Sequence, residues 1–456
     1  MELPKKVIDL MKKFIAADAE IYIVGGAVRD MLLGREVYDW DFATNLTPEE
    51  MKKIFPKNSF CNNAFGTFSV VSGKDIFEIT TFRTERNYTD ARHPDTVEWG
   101  KTIEEDLKRR DFTINAMAIQ NLPPPPPLTK GGEKNNFRIV DLFNGQEDIK
   151  NKIIRAVGEP DERFSEDALR MMRAVRLSAQ LKFVIEEKTF TSIQQNAKLL
   201  QKIAGERIRE ELFLILKSDH PGDGMIILKN SGILGEIIPE MLLGVGMAQK
   251  GHHIYDVWKH SLETLNNCEL IDPLTRLAAF LHDIGKAKAI KEIGGENTFY
   301  NHEVVGSRMA VAIGKRLKLS NEELQKLFIL VRWHMFTATE MQTDKAIRRF
   351  IRNVTVPYLE DMIALRRGDR IGSGAKESSW RWELFKKRLI EVQKQPFSIK
   401  DLKVNGEDVM EILKIKPGRR VGEILSKLFA EVEEEPKLNE REVLLTKLLN
   451  HRSIKQ

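Results

Sequence analysis

Short apolar runs broken by turns fill the first 120 residues of the chain. IYIV at 21–24, TFSVV at 67–71 and FEITTF at 77–82 have the length and the β-branched, aromatic content of strands, whereas GAVRDMLLG at 26–34 spaces its apolar residues as a helix does. The mixture predicts an α/β or α+β segment. After about residue 145 strand signals fade, and SEDALRMMRAVRLSAQL (165–181), ERIREELFLILKS (206–218) and EVLLTKLLNH (442–451) keep a helical period towards the C-terminus. Between INAMAIQ (114–120) and FRIVDLF (137–143) stand five consecutive prolines, 123–127, followed by LTKGGEKNN. That composition cannot pack a core, so an extended, solvated insertion between two strands is expected. The chain carries no internal repeat.

At 456 residues and 52.4 kDa the chain is too long for one ordinary core, and several domains are expected. Apolar residues at 42% and charged residues at 30% are the mix of a soluble globular protein. No run of eighteen apolar residues occurs, and the opening twenty residues mix acids and lysines in an amphipathic pattern unlike a signal peptide. A cytoplasmic location without a membrane partner is the expectation. Cys61 and Cys268 lie far apart, match no metal-ligand spacing and read as unbridged packing residues. The net charge of +5 and the pI of 8.9 admit a nucleic-acid partner without demanding one. Positive charge concentrates in LKRRD (107–111), RMMRAVR (170–176) and KPGRR (416–420), each of which alone reads as a solvated face.

GREVYDWDFATN (34–45) puts Asp39 and Asp41 on either side of Trp40 in a run that reads as strand. Side chains at i and i+2 of a strand share a face, so the two acids would project together while Trp40 turns into packing. Paired carboxylates repel, and a divalent cation relieves them. Mg²⁺ ions bridged this way can activate an attacking hydroxyl and steady the oxygens of a leaving phosphate. Just upstream, YIVGGAVRD (22–30) runs from a buried strand through Gly25 and Gly26 into a helix. Glycines there let backbone N–H groups approach a phosphate, and Arg29, one turn in, can reach the same anion. Together these features describe a nucleoside triphosphate held against two metals; an Asp-x-Asp turn is the plainer reading of the acids alone.

VGGAVRDMLLG, DWDFAT, TTFRTERNYTDARHPDTVEW, EEDLKRRDFTINAMA, DLFNGQEDIKNKIIRAVGEPDERFSEDALRMMRAVR and GERIREEL follow one another over about the first 215 residues. In this order they resemble the motifs of the class II tRNA nucleotidyltransferase and poly(A) polymerase family. The resemblance implies an α+β fold: a polymerase β-like nucleotidyltransferase head, then all-α neck, body, HD and tail segments. The expected division is 1–145 (head, with the proline-rich insertion at about 122–136), 146–248 (neck and RNA-binding body), 249–375 (HD) and 376–456 (tail). It also implies nucleotide transfer to an RNA 3′ end, with Asp39 and Asp41 on Mg²⁺ and Gly26, Arg29 and Arg110 at the incoming nucleotide. Glu78, in FEITT, falls where related enzymes carry a third acid.

Asp167, Arg170, Arg173 and Arg176 recur at intervals of three, a strip along one helix side that would repel itself unless an anion or acids from elsewhere lie against it. In the family, Asp167 and Arg170 match the pair that meets the base edge, and Arg173 and Arg176 match further nucleotide-contacting arginines. Cytosine and adenine both offer an exocyclic amine beside an unprotonated ring nitrogen, so aspartate can accept while arginine donates. Guanine and uracil turn a carbonyl towards the carboxylate and are rejected. C-only relatives are expected to lack a flexible loop after the third strand, and RTERNYTDARHPDTVEWGK (83–101) is intact here. The partners expected are CTP, ATP and tRNA, recognised through the shape of its acceptor and T arms. An A-adding enzyme paired with a separate CC-adding one stays open, as does an HD phosphohydrolase with an inactive head.

WKHSLETL, AAFLHDIGKA, NHEVVGSRMA, VRWHMF and LRRGDR resemble an HD-domain metal-dependent phosphohydrolase over roughly residues 250–375. His260, His282, Asp283 and Asp369 would form a first metal site, with His302 and His334 available for a second, and His282 and Asp283 would share a helical turn. Neutral imidazoles with carboxylates suit a transition metal that lowers the pKa of bound water. The relatives suggest a 2′,3′-cyclic phosphate or phosphomonoester at damaged RNA ends as substrate. Further on, residues 402–449 resemble the C-terminal part of bacterial tRNA nucleotidyltransferases, and Lys416, Arg419 and Arg420 beside Pro417 and Gly418 suit one RNA phosphate.

Overall fold

The computed structural model describes residues 3–61, 67–86, 96–121, 137–249, 254–293, 296–336, 338–393 and 399–453. The proline-rich insertion and the tip of the 83–101 loop lie outside the described residues. The chain folds as two compact units, Met1–Val245 with Ile313–Leu319, and Gly246–Ala312 with Ser320–Gln456. This division is coarser than the four segments read from the sequence.

The first unit opens with helix α1 (Lys5–Ala16), strand β1 (Ile21–Val24), helix α2 (Gly26–Leu32), and strands β2 (Asp41–Thr44), β3 (Ser59–Cys61), β4 (Thr67–Ser72) and β5 (Asp75–Thr81). Helix α3 (Ile103–Lys108) precedes strands β6 (Met117–Asn121) and β7 (Phe137–Asp141), which pair across the insertion. Residues Arg83–Arg86 and Thr96–Trp99 pair as a separate antiparallel hairpin. The seven strands order as β3-β4-β5-β2-β1-β6-β7, antiparallel except for β2 against β5.

Period-two alternation gives the sheet two faces. Ile21, Ile23, Phe42, Phe77 and Ile79 pack with Val7, Leu10, Met11 and Phe14 of α1 and with Val28 of α2 in one core cluster. Tyr22, Val24, Ala43, Phe82 and Ala118 pack with Ile103 and Leu107 of α3 in a second, smaller cluster. The second face is thinly covered, and that leaves room beside the strand ends. Helices follow, among them α4 (Pro160–Glu166), α5 (Leu169–Leu181) and α6 (Gly205–Leu216), with α5 packed on α6.

Among the described residues the second unit is helical apart from one small hairpin. Helices α7 (Val257–Asn266), α8 (Pro273–Leu281), α9 (His302–Arg316), α10 (Asn321–Trp333) and α11 (Leu359–Gly372) carry or flank the histidines, with α7 packed on α8 and α11 and α8 on α10. Three more helices, Gly406–Leu413, Arg419–Glu434 and Arg441–Ser453, share a core around Val409, Leu428, Val432, Leu444 and Leu448. Among the described residues no helix is long and apolar enough to cross a membrane. The α+β class expected from the sequence is the class observed.

Candidate active site and candidate metal centre

Register, more than the Asp-x-Asp spacing, builds the acidic end of the first unit. Asp41 stands opposite Glu78 in the parallel β2–β5 ladder, and Ala43 opposite Thr80. Asp41 and Glu78 thus share the thinly covered face while Phe42 and Ile79 fill the core behind them. Asp39 does not sit in the strand: β2 begins at Asp41, where its pairing with β5 also begins. With no ladder partner to continue the pleat, residues 35–40 form no regular element, so the shared-face argument fails for Asp39. Trp40 does pack into the core, and Asp39 stays close enough to repel the Asp41 carboxylate. Desolvation pushes Asp41 above the usual carboxylate range; Arg110 opposes the shift, and Glu78 and Asp39 add to it. A cation beside Asp41 would relieve that crowding.

These groups open into a cavity of about 520 Å³ lined by Gly25, Gly26, Asp41, Glu78, Thr80, Asn115 and Asp111 together with five arginines, Arg83, Arg109, Arg110, Arg170 and Arg173. Five guanidiniums against three acids make most of the wall suitable for a polyphosphate, with the acids Asp41 and Glu78 side by side. Gly25 has φ +73°, and a β-carbon built there would lie 2.8 Å from Arg110 Nη1, so both conformation and space require glycine. Asp106, fully buried on α3, accepts from Arg109 Nη2 at 2.6 Å and Arg110 Nη2 at 2.9 Å. Burial would raise the Asp106 carboxyl, but Arg109 and Arg110 hold it below the usual range. Arg29 donates to Asp30 and, through Nη1, to Asn115 Oδ1 at 2.9 Å. It therefore braces the cavity wall and is not among its lining residues.

The arginine strip is not the unbalanced row that the spacing suggested. Arg170 pairs with Glu166 at 2.5 Å, Arg173 with Asp111 at 2.8 Å and Arg176 with Glu211 at 3.4 Å. Acids from three other segments neutralise it, so the repulsion argument does not hold for the free chain. Burial alone would raise Asp111, yet Arg173 and Arg170 keep its carboxyl low. Asp167 is not on the arginines' helix either; it caps α4, accepts from the Leu169 N–H at 3.0 Å, and is gripped by both Nη atoms of Arg207, at 2.8 and 3.3 Å. Arg170 and Arg173 line the cavity, whereas Asp167 and Arg176 do not.

In the second unit His260, His282, Asp283, His302, His334 and Asp369 are all buried and converge. His282 and His334 are the residues immediately after α8 and α10, where the last helical carbonyls lack intrahelical donors. Each uses such a carbonyl: Nδ1 of His282 meets Ala279 O and Nδ1 of His334 meets Val331 O, both at 2.8 Å, and Nδ1 of His302 meets Phe299 O at the same distance. A carbonyl only accepts, so Nδ1 carries the proton and Nε2 of a neutral ring is a bare lone pair. For His282 and His302 those lone pairs face carboxylates, whereas His260, set between two carboxylates, brings a proton to them. His260 Nε2 lies 3.3 Å from Asp283 Oδ2 and 3.2 Å from Asp369 Oδ1, His282 Nε2 lies 3.3 Å from Asp283 Oδ2, and His302 Nε2 lies 3.2 Å from Asp283 Oδ1.

Converging lone pairs repel unless a cation joins them. In the metal-free chain burial opposes charge on His260, but its bonds to Asp283 and Asp369 push it up to about 9. Burial and the neighbouring His282 pull His334 down to about 3. Five of the six groups form two ligand clusters, His260 with His282 and Asp283, and Asp283 with His302 and His334, while Asp369 meets the first through His260. The two sites expected separately from the sequence are thus joined by Asp283. His282 and Asp283 lie in the turn after α8, and this is what aims both inward. Among the described residues these are the two clusters whose ligand atoms all fall within 4.8 Å; the acids of the head are not so tightly gathered.

The Poly A polymerase head domain family model matches residues 21–155, the RNA and SrmB- binding site of polymerase A 182–243, the HD domain 257–364, and tRNA nucleotidyltransferase domain 2 313–448. A CCA-adding enzyme of Ligilactobacillus salivarius (strain UCC118) is 34% identical over 97% of this chain and 95% of its own length. The chain belongs to the CCA-adding enzyme family. A second CCA-adding enzyme, from Lactococcus lactis subsp. cremoris (strain MG1363), is 32% identical over 98% of this chain and 97% of its own. Among solved structures, the Bacillus stearothermophilus CCA-adding enzyme in complex with CTP superposes with a TM-score of 0.71 and 28% identity, covering 100% of this chain and 99% of that one. The Thermotoga maritima CCA-adding enzyme complexed with tRNA_CCA shares the fold, with a TM-score of 0.60, 21% identity, and coverage of 98% and 96%.

Within this CCA-adding enzyme scaffold the sequence reading missed Asp106, Asp111, Arg207, Glu211, Lys286 and Arg366. Some were within reach of local spacing: Asp106 with Arg109 and Arg110, Asp283 with Lys286 and Arg366 with Asp369 are i,i+3 or i,i+4 pairs. Arg207 and Glu211 meet their partners only through the packing of α6 on α5.

Proposed function

We propose that the chain adds or repairs the 3′-terminal CCA of tRNA, transferring CMP and AMP from CTP and ATP without a template. The observation that carries this reading is the cavity in which Asp41 and Glu78 stand in register beside the Gly25–Gly26 turn and five arginines, in a chain of this family. The RNA 3′-hydroxyl attacks the α-phosphorus, the new P–O bond forms as the bond to the β-phosphate oxygen breaks, and pyrophosphate leaves. The arginines of the wall, Arg110 and Arg173 among them, orient the triphosphate and take up charge on the leaving oxygens. Asp39, Asp41 and Glu78 are hard oxygen donors whose crowding fits Mg²⁺, which when bound would acidify the attacking hydroxyl and offset phosphate charge. Arg170 and Asp167 read the base edge, and tRNA is engaged through its acceptor and T arms, in the cytoplasm.

Alanine at Asp39 or Asp41 should abolish incorporation of labelled CTP and ATP into tRNA lacking CCA; undiminished transfer by either variant removes the metal reading. Supplying CTP alone separates a complete CCA-adding enzyme, which extends that tRNA by two cytidines, from an A-adding one, which leaves it unchanged.

A second activity is favoured by the buried histidine cluster. The fixed tautomers of His282, His302 and His334 and the Asp283 shared by both clusters fit transition metals, which when bound would supply a hydroxide at neutral pH for phosphoester hydrolysis. Mn²⁺-, Co²⁺- or Ni²⁺-dependent release of phosphate from 2′,3′-cyclic nucleotides or phosphomonoesters, lost in His282→Ala, is the check. Hydrolysis by a wild type that transfers no nucleotide would instead point to a phosphohydrolase with an idle head.

A further inference from the structure

From the cations packed around the histidine cluster we infer that Lys286 is a built-in counter-ion that competes with the metal for Asp283, so that loading the HD centre exchanges an ammonium of the chain for a divalent ion. The inference rests on the proposed reading of that cluster as a metal centre.

The two carboxylates of the cluster are both paired already, in unequal ways. Lys286 Nζ lies 2.5 Å from Asp283 Oδ2, the same oxygen that His260 and His282 face at 3.3 Å. Arg366 instead holds Asp369 Oδ2, leaving Oδ1 to face His260 at 3.2 Å. Arg366 therefore backs the oxygen turned away from the imidazoles, and a metal ion can bind with that bond intact. Lys286 occupies a ligand oxygen itself. An ammonium and a divalent ion cannot both take that oxygen at close range, because they repel through a buried, low-dielectric space.

The released ammonium has somewhere to go. Lys286 is buried, and its Nζ also donates to Gln249 Oε1 at 2.5 Å and lies 5.7 Å from the centre of the Phe299 ring. A small swing away from Asp283 can keep both contacts, so release need not strand a bare charge in the interior. Lys286 on Asp283 and Arg366 on Asp369 give each carboxylate a cation of the chain, and metal affinity is set by how tightly Lys286 holds Asp283.

Titration of the full chain with Mn²⁺ by calorimetry, and with Co²⁺ by its visible absorption, tests this. Lys286→Met should bind about 10- to 100-fold more tightly than wild type, the loss of one charge-assisted hydrogen bond's competition. Arg366→Met should bind more weakly, because Asp369 loses its orienting partner. Circular dichroism establishes that each variant is folded, and Lys286→Gln serves if the methionine variant is not. Equal or weaker binding by the Lys286 variants, with wild type binding normally, overturns the exchange alone. No uptake by any folded protein overturns the metal centre and the exchange together.

Discussion

Replacing Gly25 by alanine should injure transfer far more than the same change at Gly26, although the two glycines stand side by side. Gly25 has φ +73° and ψ −136°, a region that residues with a β-carbon rarely adopt. Forcing alanine into it costs about 1–3 kcal/mol. The new methyl would also lie 2.8 Å from Arg110 Nη1 and 3.9 Å from Asp41 Oδ2. Arg110 is tethered to buried Asp106 through the guanidinium itself, by Nε at 3.2 Å and Nη2 at 2.9 Å, so making room for the methyl bends that pair and shifts Nη1 within the cavity. A displacement of about 1 Å in a positioning group lowers turnover by roughly 100-fold. At Gly26 φ is not in the left-handed region, and a methyl meets Arg29 Nη2 at 3.5 Å, an ordinary contact. Single-turnover incorporation of labelled CTP into tRNA lacking CCA, with urea midpoints for both variants, measures the two effects separately. Gly25→Ala transferring within about threefold of wild type, or Gly26→Ala proving the worse of the two, would refute the argument from backbone and clash.

Glu78→Gln should lower transfer by at least about tenfold if the register opposite Asp41 makes it a third metal-facing acid, and by little if it is a spectator; a Mg²⁺ titration of turnover tells these apart. Asp41→Asn should raise the urea midpoint in neutral, metal-free buffer: the folded pKa of Asp41 is raised, so its ionisation weakens the fold as pH rises, and the advantage should vanish once pH falls below the ordinary carboxylate value. His282→Ala should abolish metal uptake by the buried cluster yet leave CTP incorporation near wild type, since the two centres lie in different compact units; parallel calorimetry and incorporation assays check both halves. Arg207→Ala should relax discrimination against UTP and GTP by roughly tenfold, read from misincorporation ratios, because Asp167 loses a charge-assisted grip worth about 1.5–3 kcal/mol.

What could be read from the sequence was whatever is written locally. IYIV and FEITTF have the length and the β-branched, aromatic content of strands, and both became strands of the sheet; Gly25 and Gly26 mark the turn that follows β1. The six residues expected at an HD metal site could be named because their residue types recur in family order, and all six come together in the fold. Geometry set by partners in other elements could not be read this way. Asp39 looked like strand because nothing local says where a ladder starts; β2 begins its pairing with β5 only at Asp41. The strip of arginines looked unbalanced because Asp111 and Glu211 reach it from distant segments. His282 looked helical, but its role depends on standing one residue beyond α8, where an orphaned carbonyl can fix its tautomer.

The pairing of Asp167 bears on how a base could be chosen without a template. A carboxylate offers about four lone-pair directions, and here Arg207 and the Leu169 N–H occupy three of them. One remains, enough to accept a single exocyclic amine without releasing Arg207. Arg170 is similarly committed: its bonds to Glu166, Arg163 O and Arg109 O use three of five N–H groups, leaving donors for a ring nitrogen. Neither side chain need change partners to meet cytosine or adenine, so little ordering remains to oppose binding. Guanine or uracil would bring a carbonyl against a carboxylate that Arg207 prevents from turning aside. Selectivity on this view comes from rigidity around Asp167 as much as from Asp167 itself, and the residue that supplies that rigidity, Arg207, lies on α6, outside the cavity lining.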